Sequence, residues 1–212
     1  MSSLQGLSLR ERKKRRTRQA ISDAATALFA QRGFDAVTID EIAERAEVSK
    51  KTVFNYFACK EDLFFDEADA ARARLLARVR EREPGTPLIA AVREHVLAVL
   101  ERMCVGDEPW IATMARLVSE SESLRARQAE IYDGFADALA EVIAEETGAR
   151  EGDARPLVAA RAILGVERSV IDAAQDRVLA GAHGPALARS LKREAERGFD
   201  LLERGLAELG SR

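Results

Sequence analysis

Two helix-start signals of the same design, eleven residues apart, constrain this chain more than any other feature of it. Thr38 has the hydroxyl of a helix cap, and Glu41, three residues on, is placed to reach back to the Thr38 backbone N–H; Val37 and Ile42 stand where a hydrophobic staple needs them. Ser49 repeats the cap, with Val48 before it and Val53 after it as a second staple. This spacing predicts one helix from Thr38 to about Ala46, a turn at Glu47 and Val48, and a second helix from Lys50 to about Phe57. On the second helix Val53, Phe54 and Phe57 share the side expected to bury, while Lys51, Thr52 and Asn55 share the other. The pair reads as a helix-turn-helix whose second helix has a cationic, hydrogen-bonding outer face. That face suits DNA, and it also suits plain solvent.

The rest of the chain is read as helical too. Apolar residues recur at three and four rather than in alternation, and 47% apolar with 33% charged residues is a balance that can bury a sizeable core. The expected fold class is all-α: a three-helix N-terminal head and a C-terminal antiparallel helical bundle, about nine helices together. Charge divides along the same line. Residues 1–60 hold 12 Lys/Arg against 7 Asp/Glu, and residues 61–212 hold 21 against 29, so a basic head is joined to an acidic body. Neither a secretory signal nor a membrane span is expected, because the most hydrophobic stretch, Leu88 to Leu100, is interrupted by Arg93, Glu94 and His95. A cytoplasmic protein is the expectation. His95 and His183 are the only histidines, and Cys59 and Cys104 stand in no metal-ligand spacing, so no metal, cofactor or catalytic constellation is expected.

In chain order, residues 1–9 are expected to be disordered, 10–59 to form the head and 60–212 the body. The run Arg10 to Arg18 is dense in cations and includes Arg15, Arg16, Thr17 and Arg18; beside a helix-turn-helix it is well placed to neutralise phosphates. Ile21, Ala24, Ala25, Leu28 and Phe29 then share a face of the first long helix, with Gly33 as its stop.

From about residue 10 to 65 the sequence resembles the DNA-binding domain of the tetracycline-repressor (TetR) family of bacterial regulators. The resemblance rests on ALFAQRGFDAVTIDEIAERAEVSKKTVFNYFACKEDLF: a Phe-x-x-x-Gly-Phe turn, Thr-x-x-x-Ile-Ala, Ser-Lys-x-Thr-x-Phe-x-Tyr-Phe and Lys-Glu-Asp-Leu. It implies a homodimeric transcription factor that reads a palindromic double-stranded operator and is released by a small-molecule effector bound in its C-terminal domain. It also implies that Thr38, Ser49, Lys50, Lys51, Thr52, Asn55, Tyr56 and Lys60 face DNA. Of these, Thr38, Ser49, Tyr56 and Lys60 resemble backbone contacts, and Lys51, Thr52 and Asn55 are candidates for base edges. Two residues depart from the family's habit: Lys51 stands where a small residue is common, and Phe54 where tyrosine is. Lys51 suits guanine and Asn55 suits adenine, while Phe54, without a hydroxyl, reads as packing.

A connecting helix is expected from Lys60 to the break at Pro84-Gly85-Thr86-Pro87, and its tilt would change the spacing of two heads. Helices from Leu88 to about Met103, from a cap at Asp107 through Leu117, and from Ser121 to near Gly148 follow. Phe64, Phe65, His95, Met103, Trp110, Met114, Tyr132 and Phe135 are candidates to line an effector pocket; such stripes also serve as ordinary core. The last two helices are expected at about Arg155–Leu179 and Pro185–Leu209. In the second, Leu187, Leu191, Ala195, Phe199, Leu202 and Leu206 form a long apolar stripe. Either the chain's own helices cover it or a second copy does, in a four-helix bundle about a twofold axis; the resemblance favours the dimer. Beside the effector-released repressor stands a second reading, in which the body docks a protein and no effector exists.

Overall fold

The computed structural model describes residues 8–105 and 108–205, with side chains throughout except at 102–110. Every regular element among them is a helix: α1 Leu9–Arg32, α2 Ile39–Arg45, α3 Lys50–Phe54, α4 Glu61–Phe64, α5 Ala68–Arg80, α6 Leu88–Val105, α7 Glu108–Glu120, α8 Glu122–Thr147, α9 Arg155–Leu179 and α10 Gly184–Arg204. They form two compact units. The head comprises the chain up to Glu67 together with Leu117–Arg127, and the body comprises Ala68–Arg116 and the chain from Gln128 onward. Helices α7 and α8 therefore each contribute to both units.

In the head, α1 starts earlier than the sequence suggests. Ser8 and Glu11 make a reciprocal capping box, so the cationic run is helical from Leu9 onward; residues 1–7 lie outside the described residues. At the other end Gly33, at φ 85°, stops the helix with its N–H on the Phe29 carbonyl. Ile21, Ala25 and Phe29 turn inward, and Phe29, Phe34 and Phe64 form an aromatic cluster with ring centroids 4.8, 6.1 and 6.4 Å apart. Full burial of such a side chain stabilises by about 1.5–3 kcal/mol. Val37 and Ile42, the expected staple, are both buried in this core.

The connecting helix is the first correction. It is not continuous: α4 ends at Phe64 and α5 begins at Ala68. Arg18 donates to the Asp66 carbonyl at 2.9 Å and the Ser22 hydroxyl donates to the Asp66 carboxylate, so residues 65–67 are tied to α1 instead of continuing the helix. The chain passes from head to body at this break. The single rigid lever expected from the sequence is absent, and the helix count rises by one for the same reason.

The α7–α8 corner belongs to the head. The Ser121 hydroxyl donates to Asp35 at 2.8 Å and accepts from the Leu124 N–H, and Arg127 donates through two nitrogens to Asp62 Oδ1 at 2.7 and 3.0 Å.

The body is organised around α10, which packs on α6 and α9. Here the apolar stripe is read correctly and its partner is not. Leu187, Leu191, Ala195 and Phe199 are buried within the single chain, in one core with Val92, Val96 and Leu100 of α6 and Ala160 and Leu164 of α9. Intramolecular packing has covered them, so Leu187, Leu191 and Phe199 are unavailable to a second copy; Leu202 is half-buried, and Leu206 lies outside the described residues. Close approach of α9 and α10 depends on Gly198, where a Cβ would come within 2.8 Å of Val166 Cγ1. Arg93 of α6 crosses to the Glu196 carbonyl and to Asp200, which ties the same three-helix layer from its edge.

Candidate nucleic-acid interface

Thr38 caps α2 as its sequence predicts: its hydroxyl accepts from the Glu41 N–H, and the Glu41 carboxylate accepts from the Thr38 N–H at 2.8 Å. These bonds and the Arg32 guanidinium, 2.6 Å away, pull the Glu41 carboxyl down to about 2. The turn that follows is a Schellman motif. Val48 N–H bonds to the Ala43 carbonyl and Glu47 N–H to that of Glu44, with Glu47 at φ 54°. A left-handed glutamate where glycine is the natural occupant is a strained position. It sets the direction in which α3 leaves.

Ser49 caps α3 by accepting from the Thr52 N–H at 3.1 Å, and its hydroxyl lies 2.8 Å from that of Thr52. Regular helix ends at Phe54, three residues before the expected end. Asn55 caps it, while Tyr56 and Phe57 still send their N–H groups to the Val53 carbonyl. Val53 and Phe57 are buried as expected. Phe54 is not: it is 48% exposed against 0% for Val53, because five residues make little more than one turn and only one side of that turn meets the core. The expectation that Phe54 packs inward is corrected. An apolar ring stands on the outer face beside Lys51 and Asn55.

Lys51 and Asn55 are exposed, Thr52 and Tyr56 half-buried. The Lys51 and Asn55 side chains and the Tyr56 hydroxyl have no hydrogen bond or ion pair among the described residues. Lys50 is engaged by Asp40 at 2.8 Å, an exposed pair. Lys60 spends two of its three donors on the Phe34 and Val37 carbonyls, both at 3.0 Å, and lies 4.2 Å from the Phe34 ring centroid. Lys60 is thus partly used inside the head. So is Arg18, whose guanidinium lies over the Phe57 ring at 4.3 Å and holds Asp66. Thr17 is half-buried, while Arg15 and Arg16 are exposed and unpaired among the described residues, as are Arg12 and Lys13 one turn earlier. What the head presents is unspent donors on α3 and exposed, unpaired cations on α1. Cys59, beside it, has its thiol pushed up by burial and stays protonated.

The pocket candidates separate by unit. Phe64 and Phe65 belong to the head, with Phe64 buried in the aromatic cluster and Phe65 edge-on to it at 4.8 Å. In the body, His95 is buried on α6, and Met114, Tyr132 and Phe135 are half-buried, with Phe135 against the core. The side chains of Met103 and Trp110 lie outside the described residues. Among the described residues there is no group of metal-ligating side chains, and no helix is long and apolar enough to cross a membrane. One body residue was missed: Glu167, only 7% exposed, whose Oε2 is buried without a hydrogen-bond partner. Its signal was present in the sequence, since it stands at the spacing of Leu164 and Ile171 on one face of α9.

Comparison with known proteins agrees with this geometry. Residues 21–66 match the bacterial regulatory proteins of the tetR family, and residues 86–212 match the MftR C-terminal domain. The chain is 32% identical over 161 residues to the HTH-type transcriptional regulator TcmR of Streptomyces glaucescens, covering 73% of this chain and 71% of TcmR. To the transcriptional regulator MftR of Mycobacterium tuberculosis it is 27% identical over 161 residues, covering 76% and 81%. The crystal structure of NalD, the secondary repressor of the MexAB-OprM multidrug efflux pump in Pseudomonas aeruginosa, superposes with a TM-score of 0.57 at 21% identity, over 87% of this chain and 97% of that one. That likeness concerns the fold. With both of its regions matched and TcmR as a relative, the chain belongs to the tetR family of bacterial regulatory proteins: it is a DNA-binding transcriptional regulator, not an enzyme.

Proposed function

We propose that the chain acts as a homodimeric repressor that grips a palindromic operator through two heads and releases it when a small, largely apolar effector enters the body. The observation that carries the DNA half is the outer face of α3, where Lys51 and Asn55 are exposed and bonded to nothing in their own chain. Lys51 suits guanine O6 and N7, and Asn55 suits adenine N6 and N7. Phe54 suits a thymine methyl beside them. Thr38, Ser49, Tyr56 and the free donor of Lys60 suit phosphates, and Arg15 and Arg16 extend the phosphate contacts along α1. Dimerisation falls to the outer faces of α9 and α10, where Val158, Leu179 and Leu201 are exposed, rather than to the buried stripe. Half-sites about 34–36 Å apart, or a multiple of that, follow from such a pair of heads.

Coupling between effector and operator runs through two segments. One is the break at residues 65–67, tied to α1 by Arg18 and Ser22; the other is the α7–α8 corner, tied to Asp35 and Asp62. Footprinting on the DNA that flanks the protein's own gene, with and without pooled cell metabolites, tests the proposal. Protection of a palindrome that disappears on adding metabolites supports it; protection that never changes removes the effector, and no protection removes the operator.

A further inference from the structure

Helix α9 turns Ala160, Leu164, Glu167, Ile171 and Ala174 toward the inside of the body, at the four-and-three spacing of a buried stripe. Four of these are apolar. Glu167 is 7% exposed, yet Oε2 has no donor, and no hydrogen bond or ion pair among the described residues reaches the carboxylate. Burying a carboxylate costs several kcal/mol unless it is paired. The cation next to it in sequence does not pair with it: the Arg168 guanidinium lies over the Tyr132 ring, 5.0 Å from its centroid, and its Nε is 3.6 Å from Asp172. Tyr132 does not donate to it either; burial first, and then the Glu167 and Asp172 charges, push the phenol upward. Burial drives the Glu167 carboxyl up to about 7, so the acid is held at the edge of ionisation. A buried, unpaired carboxylate inside an apolar layer is the group that recognises an ammonium ion on an apolar body, because only a cation offsets its desolvation.

We propose that Glu167 is the polar anchor for the effector, and that the effector is an apolar molecule carrying a protonated amine. This rests on the effector reading of the body and narrows it to one chemical class. Glu167→Gln keeps the shape and removes the buried charge, so the variant folds. The test is calorimetric titration of the full chain, without DNA, using dodecylamine, dodecanol and dodecanoate below their micellar concentrations. Expected is binding of the amine in preference to the other two, weakened at least tenfold in Glu167→Gln, with operator footprints of the two proteins alike before ligand is added. Undiminished amine binding by the variant, or no amine binding by the native chain, overturns the proposal. Release of the operator by dodecanol or dodecanoate, with the amine inert, overturns it as well while leaving the effector reading in place.

Discussion

In the head, Lys51 and Asn55 stand at the surface with their donors unspent, whereas in the body a buried acceptor, Glu167 Oε2, is left unspent among apolar side chains. The contrast bears on the size of the partner. Exposed donors on two helices of one unit can be met by a long polyanion, and α1 supplies its cations in the same unit as α3. A buried acceptor can be met only by something small enough to enter between helices. Satisfied polar groups are informative in the opposite sense. Lys60 and Arg18, which the family resemblance and the charge run both direct at DNA, are largely occupied in holding the head together.

The sharpest way to break this contrast is at α10. If its stripe is chain-internal, Phe199→Ala costs about 3–5 kcal/mol of body stability, as a large core truncation does. Denaturant unfolding at several protein concentrations checks it; a loss under about 1 kcal/mol, or one that tracks dimer dissociation, would return the stripe to the dimer interface.

Next in size is the charge on Glu167. A carboxyl raised from 4.5 to about 7 binds more protons folded than unfolded, so its contribution is favourable below pH 4.5 and is lost as pH rises through 7. The native chain should therefore lose on the order of 2–3 kcal/mol between pH 5 and 8 relative to Glu167→Gln. Urea melts of both proteins at the two values measure it, and parallel pH dependence would mean that the carboxylate has a partner after all.

On the head, Arg15→Ala should weaken cognate and scrambled duplexes alike and lower the salt slope by about 1, because it gives up one phosphate contact. Anisotropy titrations from low to moderate salt read both quantities. The smallest effect belongs to Glu47→Gly, which relieves the left-handed glutamate and should stabilise the head by about 0.4–1 kcal/mol with the operator footprint unchanged.

Local chemistry was legible in the sequence, and distant partners were not. The Thr38 and Ser49 caps, the Gly33 stop and the bounds of α9 all follow from residues within a turn of where they act. The break at residues 65–67 does not, because what holds Asp66 is Arg18 and Ser22, more than forty residues earlier. Helical spacing found the α10 stripe but could not name α6, about a hundred residues away, as its cover. Phe54 was misplaced because a wheel drawn for a longer helix gives a one-turn helix more inner face than it has. Glu167 was overlooked because a lone charge is ordinarily solvated, although its spacing from Leu164 and Ile171 sets it on the buried face of α9.

On the proposed function α3 is the element that reads the operator, and Lys51→Ala tests that most directly. Its affinity should be measured against the footprinted operator, against single base-pair variants of it, and against a scrambled duplex of equal length. A base contact predicts a loss of about 1–3 kcal/mol on the operator, confined to one position in each half-site, with scrambled DNA nearly unaffected. Equal losses on operator and scrambled DNA would make Lys51 a phosphate contact and contradict the assignment.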